Sequence, residues 1–429
     1  MSKSLPSGWS LTSISNICSS KYGVVDGPFG SNLKTEHYRD SGVPVFQSGF
    51  VTSNRFVKKN YVYVDQEKYQ EQIRSSAAPK DILMAKIGMN AGACAVIPDD
   101  HSVGILAGNS LKMTVNKDVA SNLFLVNHLH FMQQNGELRK LLTETAQPAI
   151  SITTLKRHCV PLPPLPEQKK IAAILTSVDE VIEKTQAQID KLKDLKTGMM
   201  QELLTRGVGV DGKPHTEFKD SPVGRIPKGW DVVPISALCS HIVDCVNKTA
   251  PVVDYKTPYK MIRTTNVRHG RVDTENVRSV TKETYELWVR RLAPQKGDLI
   301  FTREAPVGEC GVLEDERGVF LGQRTMMYRA DTIKTSSHFL MYSLMSEYGK
   351  KQLEDFSGGS TVPHMRVPDC GKILVKIPPK NEQDLIVRSL KSVDAAITNK
   401  EAKLQKVNDT KKALMQDLLT GKIRVKVED

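Results

Sequence analysis

The chain carries one long pattern twice, and that repetition limits what it can fold into. PPLPEQKKIAAILTSVDEVIEKTQAQIDKLKDLKTGMMQELLT begins at Pro163, and PPKNEQDLIVRSLKSVDAAITNKEAKLQKVNDTKKALMQDLLT begins at Pro378. The copies lie 215 residues apart with no gap as far as Thr205 and Thr420, and 19 of the 43 pairs are identical. Each copy reads as a long amphipathic helix, and each follows a globular segment of similar length. The repeat continues into those segments. Pro-x-Gly-Trp occurs at residues 6–9 and 227–230, each followed by an Ile and then Cys-Ser (Ile14, Cys18, Ser19; Ile235, Cys239, Ser240). VFQSGFV from Val45 lies over MIRTTNV from Met261, and Tyr69 over Tyr285. KDILMAK ending at Lys86 lies over GDLIFTR ending at Arg303, and Gly108 over Gly322. Outside the helices the similarity is patchy, so two globules of one fold with different surfaces are expected.

The helical copies share a second regularity. Ile171, Val178, Leu192 and Met199 fall seven or fourteen residues apart, and Leu175, Ile182, Ile189 and Leu203 form a second row. The later copy repeats both rows with Val393, Val407 and Leu414, and with Leu390, Ile397, Leu404 and Leu418. A seven-residue seam keeps facing one partner only when two helices supercoil. Such a helix runs about 60 Å, at about 1.5 Å per residue, which is longer than a small domain covers. The two copies are therefore expected to pair with each other. Antiparallel pairing puts the globules at opposite ends and generates a pseudo-two-fold axis. Prolines at 161–166 and 378–379 make rigid entries, with Glu167 and Glu382 in the first turns, where the helix dipole favours a carboxylate.

The globules read as mixed α/β and strand-rich. VPVF at Val43, YVYV at Tyr61, ACAVI at Ala93 and KILVKI at Lys372 are short β-rich runs bounded by Gly, Pro and Asn. Residues 122–142 and 336–355 show helical spacing of Leu, Phe and Met. The stretch 207–229 is rich in Gly, Pro and charge and reads as a linker. Expected boundaries are 1–160 for the first globule, 161–206 for the first helix and 207–226 for the linker. The second globule spans 227–375, the second helix 376–420, and a tail 421–429.

Composition narrows the class. The chain has 429 residues, more than one ordinary core, and its 39% hydrophobic and 25% charged content is that of a globular protein. A net charge of +12 favours a polyanionic partner, and a duplicated basic protein suits double-stranded DNA, itself two-sided. No apolar run approaches a membrane span, and MSKSLPSGWSLTSI lacks the apolar core of a signal peptide. Seven scattered cysteines without a CxxC read as reduced thiols.

The sequence carries none of the common catalytic signatures. The sequence has no P-loop, no GxGxxG after a strand, and no Asp/Asn-Pro-Pro-aromatic tetrapeptide of the amino-methyltransferase kind. Glu401-x-Lys403 falls within the second helix, which reads as a solvated face. Cys239, His241 and Cys245 match no regular zinc spacing, so no metal site and no catalytic residue is assigned. What remains is binding. DGPFGSNLKTEHY from Asp26 makes a sharp loop in which Ser31, Asn32 and Lys34 offer groups that contact phosphates and base edges. Lys86 and Arg303 are basic in both copies and directly follow an apolar strand. Arg263, Gln323 and Arg324 add donors in the second globule, where Gln47 and Asn109 hold matched places in the first. Any single one of these matched residues is equally compatible with a solvated surface position, and the alternative for the loop is a plain surface connection between strand and helix.

Taken together, the Pro-x-Gly-Trp starts, the DGPFGSNLK loop, the Gly-Asp-hydrophobic strand at 297–300 and the duplicated helix make the chain resemble the specificity subunit of type I restriction–modification enzymes over its whole length. The resemblance implies two target-recognition domains separated by two long helices in an antiparallel coiled coil. It implies that each domain reads one block of a bipartite, asymmetric DNA sequence while the helices set the spacer. The implied partners are double-stranded DNA, two methyltransferase subunits and, in the full complex, two restriction subunits. S-adenosylmethionine, ATP and magnesium would belong to those partners, with no cofactor on this chain, no membrane partner, and a cytoplasmic location in a bacterium or archaeon. One departure is that HIVDCVNKT from His241 stands where the GPFGS loop is expected in the second globule. Two other readings stay open. One is the recognition chain of a related methyltransferase–nuclease system, which differs in partner. The other is a scaffold joining two protein-binding globules, which salt-sensitive DNA binding would exclude.

Overall fold

The computed structural model describes residues 5–19, 21–143, 147–209, 212–304, 306–358 and 363–427. The chain divides into two compact units, Met1–Gln186 with Ala402–Asp429, and Ala187–Glu401. Each unit therefore contains one globule, the start of the helix that follows it and the end of the other helix.

Both units are built on one plan. In the first, a four-stranded antiparallel sheet runs Val24–Asp26, Ser110–Met113, Ile82–Ala85, Cys94–Val96. In the second, the corresponding order is Cys239–Asp244, Thr325–Ala330, Leu299–Arg303, Val307–Val312. Beside each lies a smaller sheet with one parallel pair, Val43–Phe46 on Gly104–Leu106 and Lys260–Ile262 on Val319–Leu321. A strand just after each Pro-x-Gly-Trp closes on the strand that precedes the long helix. Ser10 faces Leu162 in the first unit, and Asp231 faces Ile377 in the second.

The runs ILMA and LIFTR are central strands covered on both faces. Ile82 and Met84 join the core that faces the long helices, whereas Leu83 and Ala85 face the smaller sheet. Leu299 and Phe301 divide from Ile300 in the same way. The expected helix over 122–142 is a helix Asn122–Gln134 and a 3₁₀ turn Glu137–Leu141, split where Gly136 takes a left-handed backbone. The one over 336–355 is two helices, Ser337–Met345 and Glu347–Phe356, because Ser346 turns extended and caps the second through Gly349 N–H. Of YVYV only Tyr63–Val64 is strand.

The long helices span Leu165–Leu203 and Lys380–Leu419 and pair antiparallel. In the second unit Gln188 meets Lys400 at 2.7 Å and Lys196 meets Asp394 at 2.7 Å, so partner numbers fall as the first rises. In the first unit Asp179 pairs with Lys411 at 2.7 Å. The expected seam residues are not all equivalent. Ile171, Leu175 and Leu418 are buried in the first globule's core, with Leu414 against it, and Leu390 is buried in the second, with Met199 and Leu203 against it. For these ends the expectation of helix pairing alone is corrected: helix starts and helix ends complete the globular cores. Ile189, Val393 and Ile397 are buried between these stretches, while Val178, Ile182, Leu192, Leu404 and Val407 are half-buried.

Glu167 and Glu382 do more than face a helix dipole. Glu167 is buried, accepts Trp9 Nε1–H at 3.2 Å, and takes two guanidinium bonds from Arg424 at 2.6 and 2.7 Å. Glu382 accepts Trp230 Nε1–H at 3.1 Å, Val208 N–H at 2.9 Å, and lies 2.9 Å from His215 Nε2. The Pro-x-Gly-Trp motif therefore anchors each globule to the helix that follows it. The 207–226 stretch is not a free tether: its described part docks on Trp230 and Glu382, and Phe218–Lys219 pairs with Ile226–Pro227. The tail does the same for the first unit through Arg424. Gly207 and Gly421 make the turns after the two helices with φ +69° and +70°. A Cβ there would come within 2.6 Å of the Trp230 ring or 2.4 Å of Pro6, so only glycine fits.

Candidate nucleic-acid interface

The matched polar residues converge at one edge of each unit. The backbone N–H of Lys86 donates to Asn109 O at 2.8 Å, and Arg303 N–H donates to Arg324 O at 2.9 Å. Ile150 N–H then donates to Lys86 O, and Met365 N–H to Arg303 O. The end of the central strand is thus wired identically to its neighbours in both globules. The side chains placed on that frame differ.

In the first unit Lys86 Nζ lies 2.7 Å from Asp26 Oδ2 and 3.9 Å from the centroid of the Phe29 ring. Phe29 lies in the sharp loop and is half exposed. Asn109 is exposed and its Oδ1 accepts Ser48 N–H at 3.3 Å, which brings Gln47, half-buried, to the same edge. Asn32 is exposed, and Lys34 lies 3.6 Å from Glu36. Ser31 sits in the 3₁₀ turn Gly30–Asn32, and its side chain falls outside the described residues.

In the second unit Arg303 is only 9% exposed and donates to Met365 O at 3.1 Å. It is a core side chain, which corrects its reading as a surface contact beside Lys86. The backbone match is kept while the side chain turns inward. Arg324 takes the outward place, 43% exposed, with Nε 3.0 Å from Glu304 Oε2. Its φ is +69°, a left-handed backbone that a non-glycine residue adopts at a cost. Gln323 accepts the Thr249 hydroxyl at 3.1 Å. Arg263 is half-buried with an Nε that has no partner among the described residues.

Cys245 N–H bonds Thr325 O as Gly27 N–H bonds Ser110 O. The segment after Asp244 therefore holds the place of the sharp loop after Asp26. Sequence reading did not single out these two aspartates, though their match is visible: Val-Val-Asp at 24–26 lies over Ile-Val-Asp at 242–244. Cys239, His241 and Cys245 are not gathered, being half-buried, exposed and buried in turn. Among the described residues no group of His, Cys, Asp or Glu is placed to hold a metal, and no helix is long and apolar enough to cross a membrane.

What this arrangement offers chemically is recognition: donors and acceptors of differing type on a repeated frame. Comparison with known proteins points the same way. The model of the type I restriction modification DNA specificity domain matches residues 6–194 and again 227–409. The type I restriction enzyme MjaVIII specificity subunit of Methanocaldococcus jannaschii is 32% identical over 353 residues, covering 81% of this chain and 80% of the relative. The EcoBI specificity subunit of Escherichia coli is 23% identical over 292 residues, 64% of this chain and 60% of the relative. In fold, the S subunit of a type I system from M. genitalium aligns with TM-score 0.58 over 97% of each chain at 12% identity. A chain from a structural study of type I assembly and conformational transition aligns with TM-score 0.53 over 98% of this chain and 100% of that one at 17% identity. With both halves matched by one family model, the chain belongs to the type I restriction–modification DNA specificity family.

Proposed function

We propose that this chain is the non-catalytic, sequence-reading subunit of a type I restriction–modification complex. Each unit reads one block of a bipartite asymmetric site in double-stranded DNA, and the paired helices set the spacer and recruit two methyltransferase subunits. Two restriction subunits complete the nuclease in the cytoplasm. S-adenosylmethionine, ATP and magnesium act on those partners.

One observation carries the reading. The strand-end frame is the same in both units, with Lys86 N–H on Asn109 O and Arg303 N–H on Arg324 O, yet it presents Lys, Asn and Gln in one and Arg and Gln in the other. A shared frame with exchanged donors suits two different base sequences, since base identity is read by side-chain donors and acceptors while phosphates only position. The net charge of +12 supplies the sequence-independent attraction. The test is methylation mapping across a genome with and without this chain. A single bipartite motif should lose its methylation when the chain is removed. An unchanged map would overturn the reading.

A further inference from the structure

A carboxylate occupies the same place in both units. The strand Val24–Asp26 ends on Asp26 and the strand Cys239–Asp244 ends on Asp244. Asp26 lies opposite Leu111, which lies opposite Met84. Asp244 lies opposite Met326, which lies opposite Phe301. Each aspartate thus stands on the outer strand of its sheet, immediately before the loop that opens the polar edge.

The cation on each aspartate comes from a different part of the fold. Asp26 Oδ2 is held by Lys86, which follows the central strand, at 2.7 Å. Asp244 Oδ1 is held by Arg291, beyond the helix Lys282–Trp288, at 2.5 Å. Arg303, the backbone match of Lys86, bonds Met365 O instead. The acid keeps its place while its cation is replaced from elsewhere, so the acid is the shared requirement. In each aspartate the other carboxylate oxygen has no partner among the described residues, and the side chains are 16% and 29% exposed. An ionised carboxylate accepts up to about four hydrogen bonds, so both keep capacity for a ligand donor.

A carboxylate on a DNA-facing edge is repelled by phosphate unless a cation neutralises it and a donor awaits it. In the major groove the available donors are the exocyclic amino groups of cytosine and adenine. We infer that Asp26 and Asp244 are specificity-determining residues, each accepting a hydrogen bond from a base amino group in its own block, with Lys86 and Arg291 as positioning residues. This rests on the DNA-reading function proposed above.

The experiment uses the full chain assembled with its methyltransferase partner. Affinity is measured for the mapped site and for duplexes carrying every single base-pair change in each block. Asp26→Ala and Asp244→Ala, which remove the acceptor, should each erase discrimination of about tenfold or more at one base pair, in different blocks. The base pair affected distinguishes cytosine from adenine. Lys86→Met and Arg291→Met should weaken discrimination at those same pairs, and Lys86→Arg and Arg291→Lys should restore it. Equal loss on all duplexes with discrimination intact would overturn the inference and leave two structural ion pairs. Arg291 is 52% exposed, so Asp244→Ala decides the question even if Asp26→Ala impairs folding. A wild-type complex without sequence preference would overturn the DNA-reading function itself, and this inference with it.

Discussion

At the residue scale, Glu382 shows how a buried charge fixes geometry. It has three partners, Trp230, Val208 N–H and His215, and its removal strands the indole and backbone donors inside the protein. Breaking a buried pair from one side costs about 3 kcal/mol or more, because the donors left behind lose water without regaining a bond. Glu382→Ala should lower stability by about that amount in urea unfolding. A loss below about 1 kcal/mol would show that solvent reaches the site. His128 supplies a second test. Burial, and then the nearby His158, push its pKa down from 6.5 to about 4. Between those values the unfolded chain binds a proton that the folded chain refuses, so stability falls as pH drops through that window. His130 and His158 are shifted the same way, both chiefly by burial. From pH 7 to pH 5 His128 alone should cost about 2 kcal/mol, and His128→Leu should flatten the profile by that amount. Denaturation midpoints at the two pH values check this.

At the element scale, the long helices serve two purposes along their length. The ends belong to globular cores, with Leu175 in one and Leu390 in the other, while Leu192 lies outside both cores and stays half-buried. Large-to-small changes cost most where surroundings cannot collapse into the cavity. Leu175→Ala and Leu390→Ala should therefore each cost about 3 kcal/mol, and Leu192→Ala about 1 kcal/mol, in chemical denaturation. Equal costs would mean that the helices are held by their seam alone. The seam was legible because its period is written in Leu, Ile and Val. That its ends also fill globular cores was not, since periodicity marks which face is apolar and not what covers it. The docking of 207–226 and of the tail was hidden for a related reason. Gly, Pro and charge mark the absence of regular structure, and the contacts to Glu382 and Glu167 come from residues far apart in sequence. Lys86 and Arg303 match in sequence and in backbone, but side-chain direction depends on neighbours such as Met365 that no local pattern reveals.

At the scale of the whole molecule, duplication yields two compact units: the first joins two separate stretches of the chain, and the second is the single stretch from the end of one long helix to the start of the other. The first needs Trp9, Ile14 and Phe124 from its globule, Ile171 and Leu175 from the first helix, and Met415, Leu418 and Leu419 from the second. Arg424 then closes on Ser7 O and Glu167, joining residues from both ends of the sequence. This interlock sets the terms of a domain exchange. Replacing residues 1–155 with the first globule of another family member should change one block of the methylated motif and leave the other untouched, because the second unit keeps its own core and its own polar edge. The transplant should assemble only if it supplies the indole for Glu167 and apolar side chains that fit Met415 and Leu418. A donor carrying Phe in place of Trp9 should express with lower stability while reading its own block, since the indole donates to Glu167 and takes no part in the polar edge. Methylation mapping of the exchanged chain decides the matter. A change in both blocks would show that the units do not read independently, and that the repeated frame described for each is not sufficient to specify what that unit recognises.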